Sequence, residues 1–228
     1  MKTQQTPTKN LHNASYNSEP NNPAIVLASS SPYRAKLLGQ LGLVFEQLSP
    51  DINENPHPDE VPEVLAKRLS AEKAQKVHST MPEYIVIASD QVASIEGSNY
   101  ILNKPQTMSK AEEQLSACSG KTVHFYTGLA VLAPPQLAHR QKCNALQVCV
   151  ERYSVTFRKL SETQIRSYIN RENPLNCAGS FKVEGLGIAL FSHMDGRDYN
   201  ALIGLPLIAL TDALNRLGID VLTMASQA

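Results

Sequence analysis

The stretch LASSSPYRAKLL, residues 27–38, places Ser29, Ser30 and Ser31 at the end of an apolar run and follows them with Pro32, Tyr33 and Arg34. A serine before a proline reads as the cap and first residue of a helix. Backbone N–H groups at such a start are unpaired and carry the positive end of the helix dipole. The loop therefore suits a phosphate, small hydroxyls add donors without blocking approach, and Arg34 adds a fixed charge. A plainer reading, in which Ser31 only caps the helix and Arg34 is a surface residue, uses the same residues. Further on, the run YIVIASD, residues 84–90, ends on the carboxylate of Asp90, suited to chemistry or to capping a loop. Lys73 lies in KRLSAEKAQK, which in isolation describes a solvated helix face, and Lys104 lies in the turn signal NKP.

The elements that must position these groups alternate between apolar and amphipathic runs, which predicts an α/β protein. AIVLA at 24–28 reads as a first buried strand, followed by a helix from Pro32 with Gly42 beyond its last turn. A second helix is expected over about 60–79, with Val61, Val64, Leu65, Leu69 and Val77 near one face. Strand 84–90 is expected to end at Asp90, EGSN at 96–99 to turn, and YILNKP to follow it. A helix over 107–117, a strand over 121–133 and an exposed or edge strand in LQVCVERYSVTFRKL come next. SETQ at 161–164 is a capping box that starts a helix, 180–192 should return to the sheet, and 206–218 closes the chain as an amphipathic helix. SGKT at 119–122 lacks the glycine that a P-loop needs at position 115, where Leu115 stands, and GLGIAL at 185–190 lacks the context of a dinucleotide fingerprint.

The chain has 228 residues, and Lys plus Arg and Asp plus Glu both number 21. A net charge of zero creates no global field for a polyanion or an anionic membrane, so neither nucleic acid nor a membrane is an expected partner. Cys118, Cys143, Cys149 and Cys177 form no zinc spacing and read as free thiols of a reducing compartment. Residues 1–23 are polar, lack the apolar stretch of a secretory signal and read as a disordered tail ahead of one domain, 24–228. The longest apolar stretches, such as LIGLPLIAL, are about half the roughly 20 residues that span a bilayer, so a cytoplasmic protein is expected.

LASSSPYRAKLL, SPDINEN, EKAQ, ASDQV, NKP, SGKTVHFYTGLAV, AGSFKVEGLGIAL and ALIGLPL occur in an order and spacing that resemble the Maf-like nucleotide pyrophosphatases, over about residues 24–218. The resemblance implies hydrolysis of a nucleoside triphosphate to monophosphate and pyrophosphate, with Mg²⁺ or Mn²⁺. It also implies a homodimer and a two-lobed α/β fold, a twisted mixed sheet flanked by helices around a nucleotide cleft, similar to the inosine triphosphate pyrophosphatases. The family's polar set falls on Ser29, Arg34, Glu54, Lys73, Asp90 and Lys104. Ser29 and the three cations would hold phosphates, Glu54 and Asp90 would be hard oxygen ligands for the metal, and Asp90 would orient or deprotonate the attacking water; pairing of Glu54 with a cation instead of a metal is the competing reading. A binding protein that senses nucleotides in connection with cell division is the alternative.

At the positions that read the base, this chain departs from the commoner family pattern. Tyr33 replaces an arginine, Gln91 a threonine and Glu184 a glutamine, and NPLNC puts Asn176 and Cys177 where Asp and Lys are usual. These changes resemble the subgroup acting on 7-methylguanosine triphosphate. The chemistry agrees: a methylated, cationic guanine gains from stacking on Tyr33, and the acceptors of Glu184 face guanine's two donors. Packing of Tyr33 over the first helix, with Glu184 paired to Lys182 or Arg197, is the competing reading.

Overall fold

A computed structural model describes residues 24–98 and 100–224. The expected tail, residues 1–23, and Asn99 of the expected turn lie outside them. The strands are β1 (Ile25–Leu27), β2 (Glu46–Gln47), β3 (Ile85–Ile95), β4 (Thr122–Leu132), β5 (Leu146–Phe157) and β6 (Phe191–Gly196). The helices are α1 (Pro32–Gly39), α2 (Pro62–His78), α3 (Met108–Cys118), α4 (Pro135–Gln141), α5 (Glu162–Glu172), α6 (Tyr199–Ile203) and α7 (Leu207–Arg216). All six strands form one mixed sheet in the order β2-β1-β3-β4-β5-β6, in which β1 runs parallel to both its neighbours and the other pairs are antiparallel.

Local signals set several helix starts. Ser31 caps α1 by accepting from the Arg34 N–H, Thr107 caps α3, and Ser161 with Gln164 completes the capping box of α5. Four expectations need correction. β3 does not end at Asp90 but continues to Ile95, because β4 pairs with it residue for residue across that stretch. Val61 and Val64 are exposed; α2 instead buries Pro62, Leu65, Ala66, Leu69, Ser70, Lys73, Ala74 and Val77. β5 lies inside the sheet, between β4 and β6, and β6 forms the edge on that side. Residues 180–192 return to the sheet only at Phe191, after short 3₁₀ turns at Ala178–Ser180 and Leu186–Leu190. YILNKP contributes a single bridge, Ile101 to Ser94.

Because strand side chains alternate between faces, each face of the sheet can be read from its residues. One face carries Ile85 and Ile87 with Leu129 and Val131 at one end, packed with α1 and α7 residues. At the other end Ala93, Ile95, Val123 and Phe125 pack with residues of α3, α5 and β6. Between these two cores the same face carries Ser89, Gln91 and Thr127, so the core is split by a polar band. Carbonyl oxygens of Ala201, Leu202 and Gly204 accept from that band, which anchors α6 across it. α2 covers the opposite face, packing on β3 and β4. Gly128 permits this close approach: a Cβ there would lie 2.2 Å from the Ala66 carbonyl oxygen.

Candidate functional site

β1 pairs with β3 only as far as Ile87, and Ala28 donates to the Ile87 carbonyl before the chain turns into α1. On that edge of β3 the next contacts are Leu102 N–H to the Ala93 carbonyl and the Ser94 bridge to Ile101. Among the described residues, β3 therefore has no strand partner on this side from Ser89 to Val92. Asp90 stands in this gap, on the face covered by α2, opposite Gly128 of β4. The ammonium of Lys73, on the buried face of α2, lies 2.5 Å from Asp90 Oδ1 and 2.6 Å from Glu54 Oε1. Lys73 is only 7% exposed and Asp90 8%, which rules out the solvated helix face for Lys73.

The loop after β1 brings a second cation to the gap. Ser29 Oγ accepts from the Ser31 N–H and from Arg34 Nη1, while Arg34 Nε donates to the Gly204 carbonyl at 2.9 Å. Ser89 Oγ donates to the same carbonyl, so Arg34 is tied to the polar band of the sheet. Burial pulls the Arg34 guanidinium below its ordinary value, and the charges of Asp90 and Glu54 oppose that pull. Burial would raise the Glu54 carboxyl. The Lys73 hydrogen bond, with the charges of Lys73, Lys104 and Arg34, outweighs it and holds Glu54 below the usual carboxylate range.

Beside this cluster is a cleft of about 190 Å³ lined by Tyr33, Arg34, Gln91, Lys104, Cys177, Phe181 and Glu184, among others. It unites Arg34 and Lys104 with Tyr33, Gln91 and Glu184, whereas Ser29, Glu54, Lys73 and Asp90 do not line it but sit at its side. Neither expected competitor holds Glu184: Arg197 pairs with Glu151 and Asp212, and Lys182 Nζ donates to the Glu172 carbonyl. Among the described residues Glu184 makes no hydrogen bond or ion pair. Its loop is nonetheless fixed, since Glu172 Oε1 accepts from the Leu186 N–H and the Tyr168 hydroxyl accepts from the Lys182 N–H. Gln91 is pinned as well, its amide nitrogen donating to Thr127 Oγ1 and to the Ala201 and Leu202 carbonyls. Its carbonyl oxygen is thus the polar atom left to offer the cleft. A larger cavity, about 330 Å³, lies between β5 and α7 and is lined by none of the expected site residues.

Sequence reasoning missed several groups that hold these side chains. Gln114 of α3 donates to the Asn103 carbonyl beside Lys104 and accepts from Ser180. Arg68 of α2 makes two 2.8 Å contacts with Glu60 and also reaches Glu72 and the Asn55 carbonyl. Hydrogen bonding from Arg68 dominates at Glu60; despite burial, and helped by the His57 N–H and by charge, it brings the carboxyl from 4.5 to about 2. A depressed folded value stabilises the protein above the unfolded value, and that stabilisation is lost as pH falls through the folded one. Wild type should therefore melt above Glu60→Gln at about pH 6, with the gap closing as melts are repeated from about pH 4.5 towards pH 2. A gap that does not change between about pH 6 and pH 2.5 would contradict this assignment.

Among the described residues no group of three or more His, Cys, Asp or Glu is poised for a metal, and the acidic donors at the gap are Glu54 and Asp90. Two carboxylates fit a Mg²⁺ or Mn²⁺ ion that keeps several waters and shares substrate phosphates, and do not fit a site built wholly from protein ligands.

A family model described as Maf-like protein matches residues 24–217. The chain is 50% identical over 200 residues to a 7-methyl-GTP pyrophosphatase of Nitrosococcus oceani, covering 88% of this chain and 96% of that protein. It is 47% identical over 199 residues to a 7-methyl-GTP pyrophosphatase of Pseudomonas aeruginosa, covering 87% of this chain and 99% of that protein. Among solved structures, a nucleoside-triphosphatase / dITP/XTP pyrophosphatase of Mycobacterium abscessus overlaps 60% of this chain and 75% of its own, with 15% identity and a TM-score of 0.40.

Proposed function

Because the chain belongs to the Maf-like family, we propose that it hydrolyses a nucleoside triphosphate, with 7-methylguanosine triphosphate preferred, to the monophosphate and pyrophosphate. One observation carries this reading: three cations, Arg34, Lys73 and Lys104, gather with Glu54 and Asp90 beside a cleft walled by the unpaired carboxylate of Glu184. A triphosphate carries about four negative charges, and cations at this density match it. Arg34 and Lys104 line the cleft and would grip the triphosphate, stabilising charge that builds on the leaving pyrophosphate. Asp90 would take a proton from the water attacking the α-phosphorus as the bond to the bridging oxygen breaks. Lys73 balances Asp90 and Glu54 and stands ready for a phosphate oxygen. A divalent cation held by Glu54 and Asp90 would supply charge neutralisation and a more acidic water.

Absence of turnover would fit a nucleotide-sensing protein, but sensing needs the cations without an acid–base group at Asp90. Among the described residues no helix is long and apolar enough to cross a membrane. A cytoplasmic homodimer acting on free nucleotides, with neither nucleic acid nor membrane as partner, completes the proposal and accords with the zero net charge. Chromatography of the reaction products tests the cleavage site. Monophosphate plus pyrophosphate is the expected result, with nucleoside diphosphates poor substrates because they cannot release pyrophosphate. Diphosphate plus orthophosphate would make this a phosphatase instead.

A further inference from the structure

Glu54 lies on an irregular stretch between β2 and α2, and its side chain is 60% exposed. A glutamate on such a segment samples many positions unless its backbone is held. Arg68 supplies that hold. Its Nη2 donates to the Asn55 carbonyl, next to Glu54, and to Glu60 Oε2, while Nε donates to Glu60 Oε1. Its Nη1 reaches both oxygens of Glu72, so the whole donor fork of the guanidinium is engaged. Glu60 in turn accepts from the His57 N–H, which folds residues 55–60 back around Arg68. The Glu60 side chain is 5% exposed and that of Arg68 17%, so the ion pair at the centre of this clasp is largely shielded from water. α2 thus grips the loop with Arg68 and, further along the same helix, grips the Glu54 carboxylate with Lys73.

We infer that Arg68 and Glu60 are positioning residues that hold Glu54 at Lys73 and Asp90. The inference rests on the reading of Glu54 as a metal ligand. It identifies two charged residues outside the cleft as determinants of metal affinity. Arginine is required because a lysine, with its compact charge, cannot span the Asn55 carbonyl and both oxygens of Glu60 at once.

Mn²⁺ alone is titrated into the full-length protein and free Mn²⁺ is read by electron paramagnetic resonance. The proteins compared are wild type, Glu54→Gln, Arg68→Lys, Glu60→Gln and the double variant Glu54→Gln with Arg68→Lys. Thermal melts verify folding. Groups that orient a metal ligand commonly control affinity by about 10- to 100-fold, so Arg68→Lys should weaken Mn²⁺ by about 10-fold or more. Glu60→Gln, which keeps one acceptor, should fall between it and wild type. Added to Glu54→Gln, the Arg68→Lys change should alter affinity less than about twofold, because the ligand it positions is already gone. Equal losses from Arg68→Lys in both backgrounds would overturn the inference, as would Mn²⁺ binding in Arg68→Lys equal to wild type. If wild type takes up no Mn²⁺, or if Glu54→Gln itself binds like wild type, the metal-ligand reading fails first and takes the inference with it. Should Arg68→Lys not fold, Glu60→Gln alone and in the Glu54→Gln background decides by the same criteria.

Discussion

Asp90→Asn should lower kcat by about 100-fold or more at saturating Mg²⁺, with the folded structure retained. The substitution keeps size and an acceptor for Lys73 but removes the charge and the basicity. Asp90 sits in the interior of β3, paired with β4 on one side and unpaired towards the gap on the other, so its backbone is fixed by the sheet. Lys73 also keeps its second partner, Glu54 at 2.6 Å, and is not left as an isolated buried cation. Removing one member of a buried pair is costly chiefly when the other is stranded. Circular dichroism and a melt establish folding, and initial rates of pyrophosphate release give kcat. Turnover close to wild type would remove Asp90 from the chemistry and leave it as a structural partner of Lys73. Lys104→Ala is the informative contrast: Lys104 is exposed at the cleft, so its loss should raise KM or lower kcat without a matching loss of stability.

Where the sequence was legible, local chemistry was strong. Ser31 before Pro32, and Ser161 with Gln164, specify helix starts through hydrogen bonds spanning three residues, and no tertiary context overrides them. The extent of β3 was hidden by the site itself. Ser89, Asp90 and Gln91 interrupt the apolar run and read as a strand end, yet the ladder to β4 continues and those polar side chains form the band and the gap. Lys73 was hidden in a different way. It shares KRLSAEKAQK with Lys67, which stays exposed, and only the packing of α2 over Gly128 separates the two. The clasp of Arg68 on Glu60 joins residues eight positions apart, one of them on a loop, and neither periodicity nor capping rules reach that far. Val61 and Val64 show the converse, since apolar identity suggested burial where these two side chains stand on the exposed side of the start of α2 while Pro62 and Leu65 turn inward.

Glu184→Gln should cost 7-methylguanosine triphosphate about 1 to 3 kcal/mol in kcat/KM, roughly five- to 150-fold. The geometry sharpens why. Glu184 reaches the cleft without a protein partner, on a loop that Glu172 and Tyr168 hold in place. Gln91 faces the same cleft with its donors spent on Thr127, Ala201 and Leu202, which leaves only its carbonyl oxygen. Acceptors at both positions complement the two donors on the guanine edge, whereas a glutamine amide at 184 would turn a donor towards a donor. Uridine triphosphate should lose less, or gain, because an amide matches uracil's alternating groups. Tyr33 is 40% exposed at the start of α1 and lines the same cleft, where its ring is available to stack on the base. Stacking on a cationic ring is worth about 0.5 to 2 kcal/mol, so Tyr33→Ala should penalise the methylated nucleotide more than guanosine triphosphate, which lacks that charge. The measurement is kcat/KM for all three nucleotides in wild type and both variants at one Mg²⁺ concentration. Proportional losses across the three would show that Glu184 and Tyr33 shape the cleft without reading the base, and the preference for the methylated guanine would then have to come from elsewhere in the site.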